Sequence, residues 1–88
     1  MRLIEWEVAE DGYEEQIVIP KDQRDLADQE GINTENEQKV TVTIMNLNTG
    51  ESYTGRLAIT GNRQIYVPTG VQQMLMGSKK IRIQILGG

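Results

Sequence analysis

Residues 17–30 read IVIPKDQRDLADQE, and residues 65–76 read IYVPTGVQQMLM. Each segment begins with aliphatic residues in period-two alternation, which predicts a short strand with one buried face. Each strand ends at a proline, Pro20 or Pro68, and a stretch of helical character follows, as is common where proline opens a helix. The two prolines are 48 residues apart. The sequence therefore predicts that one strand-Pro-helix unit occurs twice.

The two predicted helices differ in polarity. The first covers residues 21–30 and stops at Gly31, a residue type that readily takes the left-handed conformation of a helix cap. The second covers residues 69–76, with Thr69 as the expected N-cap and Gly77 as its end. It is apolar and is expected to plug one mouth of a barrel. The first helix has an acidic face that we expect to be solvated rather than to hold a cation. Its acids are Asp22, Asp25 and Asp28.

Alternating apolar residues also occur outside these segments, separated by turn-forming residues, and predict six or seven strands in all. The flanking strands extend each unit to a degenerate strand-strand-helix-strand repeat, at about residues 1–45 and 46–86. Paired repeats of this kind hide each other's sheet edges by closing a barrel. We therefore predict one mostly β domain over residues 1–88: a small closed barrel or pseudobarrel with two short helices and a flexible tail at Gly87 and Gly88. The predicted turns lie at residues 10–12, 46–50 and 60–63.

The composition limits the chemistry that the chain can perform. The 88 residues include no cysteine and no histidine, which excludes disulfides, thiolate zinc sites and histidine-based acid–base catalysis. The longest apolar run is three residues, so no membrane span or signal-peptide core is predicted. No nucleophile–base pair can be named. We expect a cytoplasmic, non-enzymatic domain without metal or cofactor.

The charges are divided unequally along the chain. Residues 1–37 contain twelve of the thirteen acidic residues and three bases, a net charge of −9. Residues 38–88 contain six bases and one acid, a net charge of +5. Two interpretations remain open at this point. Either the two halves attract each other within one fold, or the basic half faces a polyanion.

The order of predicted elements is similar to that of known DNA-binding domains. From Ile17 to Ile85 the chain shows a strand, a helix opened by Pro-Lys, a strand, a hairpin, a strand-Pro-helix segment and a final strand. This order resembles the DNA-binding pseudobarrel of plant B-three transcription factors and of restriction-endonuclease effector domains. The second half alone, from Ile59 to Ile85, also looks like the looped-hinge unit of AbrB-type transcription factors. Double-psi and related cradle-loop barrels remain the alternative fold.

The resemblance implies a double-stranded DNA target that is gripped by two loops. The first loop falls on residues 10–15, whose four carboxylates oppose phosphate binding. The second falls on residues 60–64, where an arginine and two amide side chains suit base edges in the major groove. Neighbouring lysine and arginine side chains would contact the phosphates. The predicted base-reading residues are Asn62, Arg63 and Gln64, and the predicted phosphate contacts are Arg56, Lys79, Lys80 and Arg82.

The leading functional prediction is therefore a nucleic-acid-binding module that acts in transcription regulation or as the recognition domain of a larger system. One alternative is a protein-interaction barrel whose acidic and basic halves dock onto a partner. Another is a ubiquitin-like or sulfur-carrier modifier, since such proteins end in Gly-Gly after their last strand. The expected state is a monomer or a homodimer.

Overall fold

A computed structural model of the chain describes residues 4–9, 16–33, 37–60, 63–76 and 78–87. The described part contains six strands and two helices, and the predicted mostly β fold with two strand-strand-helix-strand units is confirmed. The elements in chain order are β1 (Ile4–Ala9), β2 (Gln16–Val18), α1 (Lys21–Gln29), β3 (Glu37–Asn46), β4 (Ser52–Thr60), β5 (Gln64–Tyr66), α2 (Thr69–Leu75) and β6 (Lys80–Gly87).

The six strands form one sheet in the order β1-β6-β3-β4-β5-β2, and every described pairing is antiparallel. The sheet curls into a half-barrel, and the alternating apolar residues of each strand face its interior. Trp6, which is 8% exposed, belongs to this core and anchors β1. The other buried core residues that the structure describes are aliphatic, as expected for a chain without phenylalanine.

The predicted repeat is visible in the backbone. Helix α1 begins after Pro20 (φ −62°, ψ 155°), and α2 begins after Pro68 (φ −62°, ψ 156°). Neither helix has a side-chain cap, so the prediction of Thr69 as an N-cap is wrong. Pro68 occupies that position, and Thr69 is the first helical residue. The helices end within one residue of the predicted positions, and Gly31 adopts the expected left-handed conformation with φ 82°.

Equivalent positions of the two repeats also have equivalent burial. In β2 and β5 the inward residues Ile17 and Ile65 face each other, and both are fully buried. The outward residues at the next position, Val18 and Tyr66, are 54% and 43% exposed. Because β2 pairs antiparallel with β5, and β3 with β6, the two repeats are related by an approximate two-fold axis through these two ladders.

The two repeats are interleaved rather than side by side. Among the described strands, β1 of the first repeat pairs with β6 of the second alone, and β4 of the second repeat pairs with β3 of the first. The contacts β3–β6 and β2–β5 also join the repeats. Among the described residues, one ladder lies within a single repeat: the short β4–β5 contact, where Ile59 faces Ile65. Each repeat therefore completes its sheet with the strands of the other.

Helix α2 lies against the end of the sheet at which β3 terminates, which we call the Asn46 end. Asn46 is 1% exposed, and its Nδ2 donates a hydrogen bond of 3.1 Å to the carbonyl oxygen of Met74. Its Oδ1 accepts from the backbone N–H groups of Asn48 and Thr49, at 2.9 and 3.3 Å. Asn46 therefore joins the predicted hairpin turn, which ends at Gly50 (φ 80°), to the helix.

Candidate nucleic-acid interface

The convex outer face of β1, β6, β3 and β4 is polar and carries charges of both signs. On β1 and β6 these charges neutralise each other. The carboxylate of Glu7 lies 2.9 Å from Nη2 of Arg82 and 3.0 Å from Nζ of Lys80. Glu5 accepts a 2.6 Å hydrogen bond from Gln84 and lies 3.9 Å from Nε of Arg82. The acidic first half and the basic second half therefore meet across the β1–β6 ladder.

Glu7 shows the electrostatic effect of this pairing. Hydrogen bonds from Arg82 and then from Lys80 hold the pKa of its carboxyl below the ordinary value. The shift means that Glu7 is stabilised in its charged form by the two cations. Two of the predicted phosphate contacts, Lys80 and Arg82, thus already interact with a carboxylate of the same domain.

A second group of cations lies at the other end of the outer face, where β3 begins and β4 ends; we call it the Lys39 end. Lys39 lies opposite Ala58, and Arg56 lies opposite Thr41, so both side chains project from the same face of the β3–β4 ladder. Nη2 of Arg56 donates a 3.3 Å hydrogen bond to the carbonyl oxygen of Lys39. Arg63 is exposed and directly precedes β5 at this end.

The backbone at the start of β5 holds Arg63 in a defined position. Arg63 has a positive φ of 60°, and its carbonyl oxygen accepts a 2.9 Å hydrogen bond from the backbone N–H of Ile19. Non-glycine residues rarely adopt this conformation, and the contact with the segment after β2 compensates part of its cost. The carbonyl oxygen of Gln64 accepts a 3.3 Å hydrogen bond from the hydroxyl of Thr60, which links the end of β4 to the start of β5.

An exposed aromatic ring lies beside these cations. The pairing of Ile59 with Ile65 aligns Ala58 of β4 with Tyr66 of β5, on the outer face of the sheet. Across β3, β4 and β5, one row of the face therefore consists of Lys39, Ala58 and Tyr66. A depression of about 390 Å³ adjoins this row. It is lined by Glu37, Gln38, Lys39, Ala58, Ile59 and Thr60.

The predicted site residues are divided between the two ends of the sheet. Arg56, Arg63 and Gln64 lie at the Lys39 end. The exposed Lys79 precedes Lys80 and Arg82 at the Asn46 end, where β6 starts beside the end of β3. Asn62 lies outside the described residues, as does the whole predicted first loop at residues 10–15. The structure thus does not bring the four predicted phosphate contacts together.

Two residues of the Lys39 end, Lys39 and Tyr66, were missed by the sequence-based prediction. Period-two alternation assigns each to an outer face, but it does not reveal that the faces adjoin. The adjacency depends on the β3–β4 and β4–β5 registers. The β3–β4 register follows from the turn that starts at Asn46, so the sequence could have predicted that Lys39 lies opposite Ala58.

Some of the described residues bear on the alternative predictions. Gly87, predicted to belong to a flexible tail, is the last residue of β6 and lies opposite Thr41. This pairing lies beside a register shift in β3, between Thr41 and Val42. In the described ranges no group of acidic residues could hold a metal ion, and neither helix is long and apolar enough to cross a membrane.

Comparisons with known proteins do not assign this site. No protein-family model matches the sequence, no curated protein matches it, and no solved structure matches the fold.

Proposed function

We propose that the domain binds nucleic acid through the Lys39 end of its outer sheet face, as a regulator or as the recognition module of a larger system. The carrying observation is the separation of the cations. Lys80 and Arg82 lie beside Glu7 at the Asn46 end, and a second group of cations, Lys39, Arg56 and Arg63, lies at the opposite end. Among the described residues of β3, β4 and β5, the only carboxylate is Glu37, which lies opposite Thr60 at this same end and leaves the three cations in excess.

The chemistry of this end supports the proposal. Lys39 and Arg56 supply two positive charges on adjacent strands, and the hydroxyls of Thr41 and Thr60 lie nearby on the same face. Ammonium, guanidinium and hydroxyl groups are common phosphate ligands in proteins. The order of elements in the pseudobarrel family, which this chain resembles, places a DNA-gripping loop between strands equivalent to β4 and β5.

The test compares two Lys→Gln variants that change the charge equally. At about 50 mM salt, where phosphate attraction is strong, the wild type is titrated with labelled single-stranded and duplex oligonucleotides. Lys39→Gln should weaken binding and lower the slope of log K against log salt by about one unit. Lys79→Gln, at the Asn46 end, should leave both unchanged. Absence of binding by the wild type, or equal losses in the two variants, contradicts the proposal. Absence of binding would favour the protein-interaction alternative.

A further inference from the structure

We infer that the preferred ligand of the Lys39 end is a single strand of nucleic acid, with one base stacked on Tyr66. This inference rests on the proposed function and names its substrate class. It also differs from the family resemblance, which implies a duplex.

The exposure and the placement of Tyr66 suit its ring for stacking with a base. Its side chain is 43% exposed on the outer face of β5, next to the small Ala58 and in one row with Lys39. An alanine between the ring and the ammonium group leaves the space above the sheet open. In a duplex both π-faces of a base are covered by its neighbours, so an aromatic side chain on a sheet gains contact with unstacked bases.

The described residues of the Lys39 end include few cations. Affinity for duplex DNA depends largely on neutralised phosphates, about 6–10 of them in a strongly salt-dependent complex. The described residues of the Lys39 end offer Lys39, Arg56 and Arg63. A few cations beside an aromatic platform suit a short single strand, in which stacking adds affinity that does not depend on sequence.

Polar side chains lie next to the ring of Tyr66. Gln16 lies opposite Tyr66 on β2, and Gln64 lies two residues before it on the same face of β5. Amide side chains can both donate and accept hydrogen bonds at the Watson–Crick edge of an unpaired base. On the other side of Ala58, the depression that includes Lys39 and Thr60 offers room for a neighbouring nucleotide.

The test measures fluorescence anisotropy with a labelled oligothymidylate, an oligoadenylate and the duplex that they form. We expect the wild type to bind the single strands at least several-fold more tightly than the duplex. Tyr66→Ala should weaken single-strand binding by roughly ten-fold, the effect of losing one stacked base, and should change duplex binding little. Tyr66→Phe, which keeps the ring, should retain wild-type affinity.

Met76→Ala is the matched control. Met76 directly follows α2 at the Asn46 end and is 76% exposed, so its truncation removes exposed apolar surface away from Tyr66. It should leave single-strand binding unchanged. Equal affinity for strand and duplex together with an unaffected Tyr66→Ala variant overturns the single-strand inference, while Lys39-dependent binding in the same titrations would still uphold the proposed function. Loss of binding in Tyr66→Phe as well as in Tyr66→Ala would also contradict a stacking role.

Discussion

The two repeats of this domain have the same local structure but different surroundings. Both contain a three-residue strand, a proline and a helix, and the backbone angles of Pro20 and Pro68 agree within one degree. Yet β4 pairs on both of its edges, with β3 and β5, whereas β1 pairs with β6 alone among the described strands. The approximate two-fold symmetry is therefore broken between β1 and β2, which is where the half-barrel stays open.

The difference is accompanied by a different position of the two helices. Helix α1 packs against β1, and Oε1 of Gln23 accepts a 3.0 Å hydrogen bond from the backbone N–H of Glu5. Helix α2 instead contacts β3 and leaves β4 free to meet β5. In the first repeat a side chain thus takes the place that a strand takes in the second. Equal local sequence patterns can thus lead to unequal closure of the sheet, because a helix can protect a strand edge as well as another strand can.

The largest expected effect concerns the ladder that joins the repeats. Ile17→Ala and Ile65→Ala should each destabilise the fold by about 2–5 kcal/mol, because both side chains are fully buried and their truncation leaves a cavity. Ile65→Ala should lower the free energy of unfolding more than Ile17→Ala does. Ile65 lies on β5 between β2 and β4, whereas Ile17 lies on the edge strand β2. Urea unfolding of the two variants measures the difference. A larger loss for Ile17→Ala would show that the first repeat, despite its open edge, packs more tightly.

A smaller effect is expected at the edge of β1. Gln23→Ala removes the hydrogen-bond acceptor for the Glu5 N–H and should cost about 0.5–1.5 kcal/mol. It should also promote concentration-dependent association, measured by size-exclusion chromatography, because an uncovered edge can pair with another chain.

Gln72→Ala provides the control for this variant. The Gln72 side chain donates a 2.8 Å hydrogen bond to the carbonyl oxygen of Val67, within the second repeat and away from β1. Its loss should destabilise the fold by a similar amount without inducing association. Association of both variants to the same extent would speak against edge protection by Gln23.

The smallest effect is expected from the ion pairs between the repeats. The folded-state pKa of Glu7 is lowered by Arg82 and Lys80, so its contribution to stability is present above the ordinary glutamate pKa. It is lost as the pH falls through the lowered value. Thermal melts of the wild type and Glu7→Gln should differ slightly near neutral pH and converge in acid. A difference in melting temperature that stays constant across this pH range would show that the substitution does not act through the charge of Glu7.

Much of the fold was predictable from sequence because its signals are local. Alternation, the two Pro-initiated helices and the turn at residues 46–50 all act over a few residues. The pairing partners of the strands were harder to predict. Strand β1 alternates as regularly as β4, and nothing in the pattern of β1 favours pairing with β6 over pairing with β2. The same limit applies to the site. Arg56 and Arg63 were identified as candidates from the family resemblance and their basic side chains, but the pairing of Lys80 and Arg82 with Glu7 depends on the β1–β6 register.

The interleaving of the repeats has a consequence for the order of folding. Ile4 at the start of β1 pairs with Ile85 near the end of β6, so the first described strand to emerge from the ribosome pairs with the last. The first repeat therefore cannot complete its sheet before the second has been synthesised. Contacts between residues so distant in sequence are formed slowly, because the entropy of closing a long loop must be overcome first. We therefore expect the first repeat to remain incomplete during synthesis, when its net negative charge opposes association with other chains.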